Sequence, residues 1–224
     1  MARREPLIWL QLLGAAALPL EVLLVLLLLA GVDPGPVPAL ERLLAWGIGA
    51  LAPAVLLWKR PADPLSLLLV QAPLRARTTA QRSLSSAPQL LARLAGAGAA
   101  VLLLPALWWI DRGAALAGPM APFPDANRFV ALLLTVPVLA LIVWQLQQLV
   151  QAIDLLLRSP ASLADLTPLQ TEEIESQRLC LGLPLLLLDP LTAPEPSAAD
   201  VAVAVDVEQP TEDPNGTDLD QQVD

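Results

Sequence analysis

The sequence predicts an all-α integral membrane bundle of about four transmembrane helices, followed by a disordered acidic C-terminal tail. Of the 224 residues 55% are hydrophobic, and the mean hydropathy of +0.60 is too high for a chain that presents a polar surface to water. Charge is uneven: residues 1–158 hold 12 of the 13 basic residues, and residues 159–224 hold 14 of the 22 acidic ones. We therefore divide the chain into a membrane domain, 1–158, and a low-complexity acidic tail, 159–224.

Four apolar stretches predict membrane spans at about residues 7–30, 43–58, 94–110 and 129–148. A helix that rises about 1.5 Å per residue needs about 20 residues to cross a hydrocarbon core of about 30 Å. The first stretch is also open to interpretation as a secretory signal cleaved near residues 37–39. Its length, with Pro19 and Glu21 inside it, favours a helix that is retained.

Two further segments carry a helical pattern of apolar residues. The patch 64–73 is too short to span, and its apolar spacing predicts a helix lying in the membrane interface. After the fourth span, polar residues alternate with apolar ones at spacings of three and four. This pattern predicts that the helix continues to Arg158 with its polar side chains facing water. Those side chains are Gln145, Gln147, Gln148, Gln151 and Asp154.

Lysine and arginine counts predict the orientation. The N-terminus holds 2 of them and the segment 59–93 holds 6, whereas residues 31–42 hold 1 and residues 111–128 hold 2. Positively charged short loops favour the cytoplasmic side of a membrane. Both termini are therefore predicted to be cytoplasmic.

Glu21, Gln147 and Gln151 are the candidate intramembrane polar site. An ionised carboxylate within a span costs on the order of 2.5–3.5 kcal/mol, so Glu21 should be protonated, paired or turned toward the bundle interior. The functional interpretation is a proton or cation site, with the glutamines lining a polar path. The structural alternatives are a buried contact between helices for Glu21 and a water-facing surface for the glutamines.

The residue inventory argues against most enzyme classes. The chain has no histidine and one cysteine, Cys180, which excludes histidine base catalysis, a Cys/His metal cage and an intramolecular disulfide. We expect no catalytic, cofactor-binding or metal-binding residues, and we expect Cys180 to behave as a small apolar side chain. From Asp189 onward the tail has ten acids and no Lys or Arg, so it would repel nucleic acid.

Small residues in the second and third spans favour close packing between helices. They are Gly47, Gly49, Gly96 and Gly98. With few reactive groups present, the leading hypothesis is a non-enzymatic scaffold or accessory subunit of a membrane complex, in contact with the lipid bilayer and a membrane-protein partner. The competing hypothesis is a small transporter or channel subunit that uses Glu21, with Gln147 or Gln151.

Short motifs in the membrane domain resemble a known family. They are Arg4-Glu5-Pro6-Leu7-Ile8-Trp9-Leu10, Leu18-Pro19-Leu20, Arg60-Pro61 with Ser66-Leu67-Leu68, and Ala115-Leu116-Ala117-Gly118 with Ala121-Pro122-Phe123-Pro124. Over about residues 3–158 their order is similar to the cyanobacterial low-complexity tail membrane proteins, whose function is unknown. The resemblance implies a cytoplasmic or thylakoid membrane location and supplies no catalytic residues.

Overall fold

Four long apolar helices form the body of the protein. The computed structural model describes residues 2–33, 35–123 and 127–184. The helices that are long and apolar enough to cross a membrane are Pro6–Leu29, Pro38–Lys59, Leu90–Met120 and Arg128–Leu157, called here the first to fourth helices. The predicted all-α membrane bundle with four spans is confirmed, and the second and third helices begin earlier than predicted.

Prolines change the local hydrogen bonding of two of these helices without ending them. The first helix passes through a 3₁₀ turn at Ala15–Ala17 just before Pro19, and the second contains a π-helical turn at Gly47–Leu51 just before Pro53. Proline lacks a backbone N–H and clashes with the carbonyl four residues earlier, so the helix shifts its hydrogen bonds there. Each helix thus keeps its length across the membrane.

The fourth helix is the centre of the bundle, since it packs against each of the other three. Its close approach to the second helix depends on Gly49, because a Cβ there would lie 2.8 Å from the carbonyl oxygen of Val136. Gly96 of the third helix lies against Gln147, where a Cβ would be 3.3 Å from the side-chain oxygen. Two of the four predicted small-residue positions therefore serve packing inside the bundle.

Residues 60–89 connect the second and third helices at what we call the loop end of the bundle. The predicted interfacial helix over 64–73 is wrong. These residues form a turn and a short strand, β1 (Val70–Gln71), before a 3₁₀ turn at Leu74–Ala76 and a short helix, Thr79–Ser86. Leu65 and Ala72, which an interfacial helix would turn toward lipid, are instead buried within the protein. Pro64 and Pro73 limit any helix here, since each lacks a backbone N–H.

Residues 159–184 fold back onto the loop end. They form two short helices, Pro160–Ala164 and Thr171–Gln177, and a strand, β2 (Leu183–Pro184), that pairs in parallel with β1. Leu163 and Ile174 are buried. This segment therefore packs with the membrane domain, and the tail begins later than the predicted boundary at 158. The predicted disorder of the acidic tail concerns residues that lie outside the described part of the chain.

Candidate functional site

Glu21 makes a contact between the first and fourth helices. It is buried, and one of its carboxylate oxygens accepts a hydrogen bond from the side-chain amide of Gln145. The other oxygen, Oε2, has no hydrogen-bond partner among the described residues. The geometry thus matches the predicted interhelix contact and leaves one carboxylate oxygen unused.

Gln147 is fully buried beside Gly96, and neither its amide oxygen nor its amide nitrogen has a partner within residues 2–33, 35–123 and 127–184. Residues of a helix are rotated by about 100° per position, so Gln145 and Gln147 lie about 200° apart around the fourth helix. Glu21 contacts Gln145. The structure therefore does not gather the three predicted residues, Glu21, Gln147 and Gln151, into one site.

Three other buried glutamine amides hold the loop end in place. Gln11 of the first helix donates to the carbonyl oxygen of Pro64 at 2.7 Å. Two residues of the fourth helix donate in the same way, Gln148 to Ser66 at 2.8 Å and Gln151 to Ala62 at 3.2 Å. The predicted water-facing surface is wrong for Gln147, Gln148 and Gln151, all of which are buried. Buried carbonyls need donors, and the glutamines supply them.

A buried ion pair fixes the same loop. The guanidinium of Arg77 lies 2.8 Å from the carboxylate of Asp63, and both side chains have 0% exposure. Ser85 donates to the same carboxylate at 2.7 Å, and the backbone N–H of Leu65 donates at 3.1 Å. The sequence reasoning missed this group, although the Asp63-Pro64 dipeptide is a turn signal.

The segment after the helix Thr171–Gln177 is bonded to this loop through its backbone. Leu179 donates to the carbonyl of Pro61 at 3.0 Å and accepts from the N–H of Asp63 at 3.1 Å. Burial, reinforced by the nearby Asp63 carboxylate, raises the pKa of the Cys180 thiol to about 11. The thiol is therefore protonated at neutral pH and a poor nucleophile, in keeping with the passive role expected of it.

At the opposite end, an arginine joins three of the membrane helices. Arg128 donates to both carboxylate oxygens of Asp111, at 2.7 and 3.0 Å, and to Glu41 at 3.3 Å. Arg42 lies 3.5 Å from Asp111. These residues belong to the second, third and fourth helices. The polar groups at this end bind one another, and an apolar cavity of about 360 Å³ lies beside them between the second and fourth helices.

These features define a multi-pass α-helical membrane protein whose buried polar groups mostly bind its own backbone. A family model described as low-complexity tail membrane protein-like matches residues 4–190, and the chain belongs to that family. The resemblance to the low-complexity tail membrane proteins is thus confirmed as to the family, and the match extends over the segment 159–184. No curated protein and no solved structure matches the chain.

Proposed function

We propose that the protein is a non-enzymatic scaffold or accessory subunit that packs laterally on a larger membrane-protein complex. The observation that carries this proposal is how the polar groups are used. Gln11, Gln148 and Gln151, which would suit a solvated path, donate to loop carbonyls. Their role is to hold the fold, which is what a rigid partner for other helices requires.

An outward-facing glycine supports the same proposal. Gly98 of the third helix is exposed, and a Cβ added there would meet nothing within 4 Å. Its neighbours Leu94, Val101 and Leu102 are also exposed. Glycine destabilises a helix by about 1 kcal/mol relative to alanine, and contact with lipid does not offset that loss of stability. Close approach of a partner helix would offset it.

The charge distribution supports a cytoplasmic location for the loop end, in the cytoplasmic or thylakoid membrane. At the opposite end, Arg42 and Arg128 are paired with Asp111 and Glu41. At the loop end, Lys59, Arg60, Arg75 and Arg93 form no salt bridge within the described residues. Among the described residues, lysine and arginine are therefore concentrated at the end with the N-terminus, as the positive-inside rule favours.

Gly98→Leu tests the scaffold proposal. A bulky side chain there should block a partner helix while leaving the monomer at least as stable, because leucine has the better helix propensity. Purification in mild detergent with mass spectrometry should recover a stoichiometric partner with the wild type and lose it with G98L. Gly113→Leu is the control, because Gly113 is also open but lies beyond Trp108 and Trp109, residues that favour the headgroup level of a membrane. A wild type that is recovered alone, or a partner retained by G98L, would reject the proposal.

The second candidate is a small transporter or channel subunit, favoured by the unused polar atoms of Glu21 and Gln147. A carboxylate inside a span is costly, and such groups often serve ion pathways. Reconstituted vesicles should then carry a proton or cation flux that Glu21→Gln abolishes. That result would replace the scaffold proposal.

A further inference from the structure

A strongly basic cavity of about 550 Å³ opens at the loop end, where the second helix ends and the third begins. Lys59, Arg60, Arg93 and Arg178 line it together with Gln89. No aspartate or glutamate of the described residues is among its lining groups. Four cations thus share one small volume without a counter-charge on its walls.

Several polar groups of this cavity lack partners. Gln89 has 7% exposure, yet neither atom of its side-chain amide has a hydrogen-bond partner in the described part of the chain. The same holds for the Nε atoms of Arg93 and Arg178. Arg178 has only 8% exposure, and its Nη2 donates to the carbonyl of Ala87. Unpaired buried donors cost about 1–3 kcal/mol each, more when charged, so a rotation of these side chains toward an acceptor in the cavity would be favourable.

The backbone adds to the attraction for an anion. Gln89 is the N-cap of the 25-residue helix Leu90–Ala114 and makes no side-chain capping bond to it. The N-terminus of a helix carries a partial positive charge and free N–H groups, which favour phosphate. Burial, followed by repulsion from Arg93, lowers the pKa of Arg178, although Asp63 opposes the shift. An anion in the cavity would offset the repulsion between Arg93 and Arg178.

The position of the cavity relative to the membrane indicates where such an anion would come from. Lys59 directly follows Trp58, and tryptophan favours the headgroup level of a membrane. Leu90 and Leu91, at the start of the third helix, are 62% and 56% exposed on the apolar surface of the bundle. An acyl chain on that surface would bring its headgroup to the cavity. Basic pockets between helix ends on the cytoplasmic side are suited to anionic headgroups.

We propose that this cavity binds the phosphate group of an anionic phospholipid, held by Arg93, Lys59 and the amide of Gln89. The shared chemistry is a phosphate group, and free inorganic phosphate is the other source. Arginine and lysine both bind phosphate, arginine through two parallel N–H groups. The proposal is independent of whether the protein is a scaffold or a transporter.

The test is lipid retention by the full-length protein, measured by native mass spectrometry after incubation with phosphatidylglycerol or phosphatidylcholine. Phosphatidylglycerol should be retained in preference, and Arg93→Gln should weaken its retention about tenfold, the effect of losing one charge-assisted bond. Lys59→Gln should weaken it in the same direction. Arg75→Gln is the matched control, because Arg75 is exposed and does not line the cavity. The substitution removes the same charge as Arg93→Gln.

Four outcomes would overturn the proposal. The first is equal retention of the two lipids, and the second is an equal loss in R93Q and R75Q. The third is binding of inorganic phosphate alone that displaces phosphatidylglycerol, which would assign the cavity to a soluble ligand. The fourth is a carbodiimide cross-link from Lys59 to a carboxylate of residues 189–224 with phosphatidylglycerol present, which would assign it to the acidic segment of the chain itself.

Discussion

The two ends of the bundle each hold an arginine bonded to an aspartate, but the two pairs differ in burial and in the elements that they connect. At the loop end, Arg77 and Asp63 have 0% side-chain exposure and join two parts of one connection. At the opposite end, Arg128 and Asp111 keep 10% and 11% exposure and join two membrane helices, with Glu41 and Arg42 of a third close by. Burial decides how much each pair contributes to stability, because a charge that water cannot reach depends entirely on its partner.

The same substitution at the two ends should therefore have unequal effects. Arg77→Met leaves the Asp63 carboxylate buried and without its counter-charge, which should lower the free energy of unfolding by about 3–5 kcal/mol. Arg128→Met should lower it by less, because water reaches that pair at 10% and 11% exposure, and Asp111 keeps Arg42 nearby. Reversible unfolding by SDS in mixed micelles measures both.

A double variant separates lost charge from lost packing at the loop end. In Asp63→Asn with Arg77→Met, the asparagine oxygen still accepts from Ser85 or Leu65, and no charge is left buried. Its stability should return most of the way to the wild type. Equal losses from R77M and R128M would contradict the comparison, and so would a double variant that is no better than R77M.

The glutamines of the fourth helix sharpen the comparison within one element. Gln151→Leu leaves the carbonyl of Ala62 without its donor and should cost about 1–3 kcal/mol, and Gln148→Leu should do the same at Ser66. Gln147→Leu should be neutral or stabilising, because the amide it removes has no partner in the described structure. SDS unfolding gives the stabilities, and hydrogen exchange of residues 62–66 should speed up only in Q148L and Q151L. If Q147L lost as much stability as Q151L, the conclusion that only Gln148 and Gln151 hold the loop would be contradicted.

The membrane helices could be predicted because the apolar stretches are long and each helix satisfies its own backbone hydrogen bonds. The use of the glutamines could not, because Gln148 and Gln151 bind carbonyls 82 and 89 residues away. Apolar spacing in the short segment 64–73 fits an interfacial helix, but the segment forms a turn and β1, and Leu65 and Ala72 are buried against the rest of the protein. The cations of the lipid-binding cavity come from three separate segments of the chain, so their proximity could be seen only in the folded structure.

The smallest expected effect concerns Glu5, at the loop end just before the first helix. Burial raises the pKa of Glu5 from its ordinary value of 4.5, although a hydrogen bond from Gln81 opposes the shift. The folded state therefore binds this proton more readily than the unfolded state. Its contribution to stability is complete below about pH 4.5 and is lost as the pH rises through the raised pKa.

Glu5→Gln removes this titration and keeps an oxygen that accepts from Gln81. The variant should be more stable than the wild type at pH 7 and indistinguishable from it near pH 4, which the SDS unfolding midpoints at the two pH values would measure. Glu172→Gln, at an exposed position, controls for the loss of a negative charge. A wild type that is the more stable of the two at pH 7 would mean that the ionised carboxylate is stabilised at the loop end, as Asp63 is by Arg77.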